Sequence, residues 1–363
     1  MILEKDLQEL AGFRAQGAPI LSLYLNVDPH RRTPEKYKLA LRHQLNSVAE
    51  VADPADIARV EHYFELEYNW QGRSVACFSC QAADFWRAYP LWVPLEDAVF
   101  VGDHLYLKPL SDMVDTYVRH GVALVSREGA RFFLFEQGQA EEVGELTGED
   151  VKRHKQGGWA AARYQRHEDA AAYRNLKEIA EATVNFCQEH DCQRLILAGT
   201  DKTVAQFQPL LPKALQERIV GSFAVDMTAS PAEVAERSLN IVQQALLQQQ
   251  AALVEQVITA ASSKGGTGAL GLADTLRLLE EGRVHHLVLA EGYHDTAYQC
   301  SHCGYMTVEP MEQCAFCGGQ MRLLPDAVNA VVSRAIERGV EVTTVRDNAR
   351  LEAAGSIGAI LRY

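Results

Sequence analysis

The tightest constraint on this chain is a matched pair of short motifs near its end. Cys300-Ser-His-Cys303-Gly304 and Cys314-Ala-Phe-Cys317-Gly318 form two Cys-x-x-Cys knuckles ten residues apart, each followed by glycine. Four thiolates at this spacing close a tetrahedron around zinc, and the glycine allows the tight turn in which backbone N–H groups approach sulfur. With Cys300, Cys303, Cys314 and Cys317 filling every position, none is left for a substrate water. Zn2+ is therefore expected in a structural role, in a ribbon over residues 298–321. His302 and His294 read as bystanders. Cys77-Phe-Ser-Cys80 differs, because a lone pair inside a strand-like segment puts its sulfurs on opposite faces of the pleat. Cys187 and Cys192 read as helix-end residues without chemistry.

A chain of 363 residues exceeds what one hydrophobic core usually organises, so two or three domains are expected. Composition is that of an ordinary folded protein, with 47% hydrophobic and 23% charged residues. The opening MILEKDLQELAGFRAQ is charged in its first turns, and no later run reaches the roughly 18 apolar residues of a membrane span. The expectation is a cytoplasmic protein with no membrane partner. Its eight cysteines then point to metal or buried thiols before disulfides. A formal charge of −13 argues against coating nucleic acid by overall electrostatics, since phosphate binding needs lysine and arginine presented together.

Periodicity divides the chain into three α/β segments with boundaries at 1–115, 116–250 and 251–363. The first opens with a helix, then a strand at Ile20–Val27, two helices over Pro34–Glu67 broken at Asp53-Pro54, and strands at Ser74–Ser79 and Ala98–Leu107. The second begins with a hairpin turning at Arg127–Ala130. A long helix from about Ala160 to His190, a buried strand at Arg194–Ala198 and a strand at Ile219–Val225 complete a mixed, partly parallel sheet with helices on it. Pro231–Ala261 reads as one long helix leading to the third segment, an α/β sandwich into which the ribbon is inserted. Ser263-Lys-Gly-Gly-Thr-Gly268 lacks the lysine that follows the last glycine of a phosphate loop and reads as a flexible entry.

The other outstanding feature is VKRHKQGGWAAARYQRH, Val151 to His167. It holds no acidic residue and five cations, Lys152, Arg153, Lys155, Arg163 and Arg166, with His154 and His167 nearby. Gly157 and Gly158 let the backbone approach a partner closely, and an adjacent helix start offers free N–H groups to phosphate or carbonyl oxygens. The combination suits an RNA backbone; a solvated helix cap is the plain alternative.

These residues resemble the tip of archaeal and eukaryotic class-I release factors. There a histidine and polar or basic residues precede Gly-Gly-Gln, then small residues and an Arg-Phe/Tyr-x-Arg run lead into a long helix. The matching residues are His154, Gly157, Gly158, Ala160, Ala161, Arg163, Tyr164 and Arg166. Downstream, Arg194–Phe207, Gly271–Gly292 and the ending Ala354–Tyr363 (AGSIGAILRY) are similar to further stretches of the same release-factor and Pelota family. The resemblance runs from about residue 120 to the end and touches the first segment only weakly. It implies a central domain of RNase H-like fold, a last domain of L7Ae-like fold, and partners among the ribosome, rRNA or tRNA and a translational GTPase of the elongation-factor type.

Two departures shape the functional expectation. Trp159 stands where the family has the glutamine that helps orient the water hydrolysing peptidyl-tRNA. Its backbone N–H can still donate to an oxyanion, its ring can stack on an exposed base, or it can anchor the loop on its own domain; Gln156 is the weak candidate for a substitute amide. The first segment also lacks the asparagine-isoleucine-lysine-serine loop and the tyrosine/cysteine pattern that read stop codons. A non-decoding factor of the ribosomal A site, in rescue or hibernation, is the first expectation. A peptidyl-tRNA hydrolase acting without the glutamine is the second, and an off-ribosome RNA-binding or interaction module is the third.

Overall fold

The computed structural model describes residues 4–15, 17–69, 71–148, 161–263 and 265–363. They form two compact units, a terminal one made of Met1–Asp115 with Leu247–Tyr363 and a central one of Thr116–Leu246. Among the described residues no helix is long and apolar enough to cross a membrane.

In the terminal unit, α1 (Glu4–Gly12) leads to β1 (Ile20–Asn26), all seven of whose residues are buried. Helices α2 (Pro34–Ser47) and α3 (Pro54–His62) each start on proline, which fits the first helical turn because its missing N–H would be unpaired there anyway. The Asp53 carboxylate caps α3 by accepting from the Ala55 N–H at 2.9 Å. A π-helical turn, Tyr63–Glu67, then brings Tyr63, Phe64 and Tyr68 into one aromatic cluster. Strands β2 (Ser74–Cys80), β3 (Phe85–Leu91) and β4 (Ala98–Gly102) complete an antiparallel sheet in the order β3-β2-β1-β4. Leu23, Leu25 and Cys77 pack with Tyr37, Leu41 and Val60 of α2 and α3. Cys77 and Cys80 are both buried, and only Cys77 belongs to this core, as alternation along a strand requires.

Helix α4 (Lys108–Thr116) leads into the central unit. There β5 (His120–Val125), β6 (Gly129–Glu136) and β7 (Gln139–Thr147) form a meander, and α5 (Ala161–Glu189) crosses back to β8 (Arg194–Gly199). Short helices α6 (Asp201–Phe207) and α7 (Lys213–Gln216) precede β9 (Ile219–Ala224). The sheet order is β7-β6-β5-β8-β9, with β5, β8 and β9 parallel and the rest antiparallel. Leu195–Ala198 are fully buried, with Leu195 and Leu197 under α5 and α6 and Ile196 and Ala198 among the residues facing Val234 and Val242. Those two belong to α8 (Pro231–Ser262).

Further along, α8 contributes Val254 and Val257 to the terminal unit. Here β10 (Gly268–Leu270), α9 (Leu272–Glu280), β11 (Val284–Ala290), α10 (Ala327–Glu337), β15 (Glu341–Val345), α11 (Ala349–Ala353) and β16 (Ile357–Leu361) build a second sheet, β10-β16-β11-β15. Between β11 and α10 sit β12 (Ala297–Cys300), β13 (Met306–Thr307) and β14 (Met321–Leu324), a three-stranded antiparallel insert. The β10 strand begins at Gly268, where the sequence suggested a flexible entry; pairing with Gly358–Ile360 of β16 is a long-range contact invisible to local composition.

Two residues test this architecture. Gly199 has φ +140°, and a Cβ there would meet the Val125 carbonyl oxygen at 2.3 Å. Gly199→Ala should destabilise the central unit by more than about 1 kcal/mol, read as a lower midpoint in denaturant. His120, stacked on Phe135, is buried, and burial pushes its imidazole down to about 4, with the Val118 carbonyl opposing and Arg194 reinforcing the shift. A histidine whose folded value lies below its unfolded one stabilises the fold above about pH 6.5. That contribution, roughly 3 kcal/mol, should be lost as pH falls from 6.5 to 4. Urea titrations across this window should show it, and His120→Phe should flatten the slope.

Candidate metal centre and nucleic-acid interface

The knuckles are built twice on one plan. Cys300 ends β12, its N–H bonds the Tyr305 carbonyl at 2.8 Å, and its own carbonyl accepts from Gly304 N at 3.0 Å. In the second knuckle Cys314 N bonds the Gly319 carbonyl at 2.8 Å and its carbonyl accepts from Gly318 N at 2.9 Å. Gly304 (φ +73°) and Gly318 (φ +71°) occupy the left-handed region that ordinary side chains rarely adopt. Backbone N–H groups point at sulfur: His302 and Cys303 toward Cys300 Sγ at 3.4 and 3.5 Å, and Phe316 toward Cys314 Sγ at 3.5 Å. The Cys303 and His302 N–H groups, acting against burial, draw the Cys300 thiol down, while the neighbouring sulfurs of Cys317, Cys300 and Cys314 push the Cys303 thiol up.

All four Sγ atoms lie within 4.8 Å of one another, with Cys300–Cys317 at 3.4 Å and Cys303–Cys314 at 3.6 Å. Zinc–sulfur bonds of about 2.3 Å in a tetrahedron demand sulfurs roughly 3.8 Å apart, so the set fits zinc. Gly319 makes room for it: a Cβ there would sit 3.1 Å from Cys300 Sγ and 3.3 Å from Cys317 Sγ. His302 and His294 lie outside the four-ligand set; His294 is 67% exposed and faces Asp326 at 3.9 Å. The doubled glycine after Cys317 was the sequence signal for this close approach, and it went unread. Cys187 and Cys192 are buried where α5 ends, Cys192 N bonding the Cys187 carbonyl at 3.0 Å.

Of the basic segment, Lys152, Arg153, His154, Lys155, Gln156, Gly157, Gly158 and Trp159 lie outside the described residues, as do the side chains of Arg163 and Arg166. What is described is the mounting on either side. Gly148, just past β7, donates to the Glu128 carbonyl at 2.7 Å, and a Cβ on it would meet the Asn175 amide at 2.7 Å. Asn175, buried on α5, donates to the Arg127 carbonyl at 3.0 Å, while the Arg127 guanidinium pairs with Asp169 of α5 at 2.5 Å. Ala172, Leu176, Ile179, Ala180 and Phe186 then bury one face of α5 on the sheet. The β5–β6 turn, the end of β7 and α5 are thereby joined at one place. Periodicity gave the apolar face of α5 but not the Asn175 clasp, which depends on partners 27 and 48 residues away.

The metal assignment predicts one zinc per chain by elemental analysis. Cys314→Ser should reduce it to near zero, whereas Cys80→Ser, outside the knuckles, should leave it unchanged.

With this geometry in place, comparison with known proteins is informative. Residues 106–243, essentially the central unit, match the family described as "Bacterial archaeo-eukaryotic release factor family 10". Peptide chain release factor subunit 1 of Pyrococcus abyssi is 21% identical over an alignment spanning 99% of this chain and 97% of that protein. The protein of the same name from Methanococcus maripaludis (strain C6) is 24% identical over 100% and 97%. Among solved structures, Pelota of Archaeoglobus fulgidus is 16% identical, with a TM-score of 0.39 over 80% of this chain and 79% of that one. The tip residues and the AGSIGAILRY ending point the same way as these matches: the central unit is similar to the bacterial archaeo-eukaryotic release factor family 10, and the chain is similar from end to end to archaeal peptide chain release factor subunit 1.

Proposed function

We propose that this protein is a non-decoding translation factor that binds the ribosomal A site, in rescue or hibernation, with its basic Gly157-Gly158-Trp159 tip directed at the peptidyl-transferase centre. The observation that carries the reading is a replacement inside a retained frame. Relatives named as peptide chain release factors align along nearly their whole length, while Trp159 stands at the position where the family has glutamine. The glycines and the cations Lys152, Arg153, Lys155, Arg163 and Arg166 are kept. The retained residues support binding to RNA backbone, while the side-chain amide that orients water in the family is replaced. An indole offers a stacking surface worth roughly 1–3 kcal/mol per base, which suits occupancy of a site more than turnover in it.

The same resemblance supports a translational GTPase of the elongation-factor type as delivery partner, and cytoplasmic location follows from ribosome binding. Hydrolysis of peptidyl-tRNA is the second reading, favoured by the release-factor name that the relatives carry. On that reading the Trp159 N–H supplies the oxyanion contact.

Co-sedimentation with ribosomes separates these. Wild type should pellet with them, and a Lys152→Ala/Arg153→Ala/Lys155→Ala variant should bind more weakly, its dependence of log affinity on log salt shallower by about 2. The complex should leave peptidyl-tRNA intact. Hydrolysis that collapses on Gly157→Ala would transfer the assignment to the enzyme reading, and absence of binding at any salt would remove the ribosome from it.

A further inference from the structure

The metal centre stands at one end of a polar chain whose other end is the N-terminal segment of the terminal unit. Arg334 of α10 donates from its guanidinium to the Gly304 carbonyl at 2.6 Å, the residue directly after Cys303. The same group lies 3.6 Å from Glu280 and 3.8 Å from Glu337. Glu337 in turn accepts from Arg14, two residues past α1, at 2.5 Å. A second connection leaves the ribbon from β14, where Arg322, next to the Cys300–Met321 pair, donates to Gln299 at 2.9 Å and forms an ion pair with Asp103. Two residues on, the Leu105 carbonyl accepts from Asn329 at 3.5 Å and Ser333 at 3.3 Å, both on α10.

Dry packing does not close this seam. A cavity of about 490 Å³ opens along it, lined by Gly102, Asp103 and His104 on one side and Arg322, Leu324 and Asn329 on the other. Nor does the ribbon hold itself together by burial. Its cluster around the thiols is Cys300, Cys314 and Met321, with Tyr298, Tyr305 and Met311 only half-buried, and Ala297 and Met306 add little further buried surface. A minidomain so small relies on its metal cross-link for shape. Without it, the left-handed Gly304 turn and the position of Arg322 rest on a few backbone bonds and a short strand pairing alone, and both polar connections lose a rigid anchor.

We infer that metal in the ribbon latches the N-terminal segment, through Arg334–Glu337–Arg14 and Arg322–Asp103, onto the C-terminal segment of the same unit. The inference rests on occupancy of the four-thiol site and is independent of the ribosomal reading. Zinc supplies the cross-link; Arg322 and Arg334 transmit it.

Hydrogen exchange on the full chain tests the latch, with zinc content measured on each sample. Chelating zinc from wild type should speed exchange in residues 4–12 and 98–107 about tenfold while 120–125 and 194–199 in the central unit stay unchanged. An Arg322→Gln/Arg334→Gln variant that keeps its zinc should reproduce the effect with residues 300–318 still protected, which separates the latch from folding of the ribbon. Faster exchange confined to 297–324 after chelation would overturn the proposal, as would loss of protection spreading into the central sheet. A chain isolated without zinc would remove its premise, whatever its behaviour toward ribosomes.

Discussion

Parallel pairing of β5 with β8 is the constraint around which the central unit is arranged. Antiparallel neighbours can be joined by two residues, but a parallel pair needs a crossover that climbs back along the sheet. Here that crossover is residues 126–193, and it contains the β6–β7 hairpin, the basic segment and α5. In sequence, the stretch bearing Gly157-Gly158-Trp159 thus falls between two elements whose places the sheet dictates. Asn175, Gly148 and the Arg127–Asp169 pair hold the described parts of that mounting together.

Charge is organised on the same principle of local concentration. The chain carries a formal −13, yet its cations cluster where an anionic partner is expected, over residues 152–166. Elsewhere arginines are spent internally: Arg73 on buried Asp28, Arg131 on Glu142, Arg338 on Glu280. At Asp28, burial alone would raise the carboxyl, but the Arg73 guanidinium and the His30 N–H more than reverse it.

What could be read from residues alone was what local pattern encodes. Apolar runs located β1 and β8, proline and aspartate at 53–54 marked the break before α3, and knuckle spacing named the four thiols that converge. Other features answer to distant partners. The strand β3, FWRAYPL, is only half-buried along most of its length and shows no clean alternation; pairing with β2 and stacking of Phe85 on Phe13 make it a strand. The π turn at Tyr63–Glu67 follows from aromatic packing that no helical period announces. The Arg334–Gly304 bond links residues 30 apart across an inserted ribbon.

One feature bears on how the molecule is made. The terminal unit is discontinuous, since residues before 116 form one compact unit with residues after 246. At roughly 5–20 residues per second, synthesis of the intervening stretch leaves the early segment waiting on the order of ten seconds for its partner. Meanwhile the central unit, continuous in sequence, can close as it emerges. During that interval α1 has no α10 to pack on, and the Leu105 carbonyl has neither Asn329 nor Ser333 as donor. A nascent chain of this design leaves these contacts of its first segment unmade until its last third has left the ribosome.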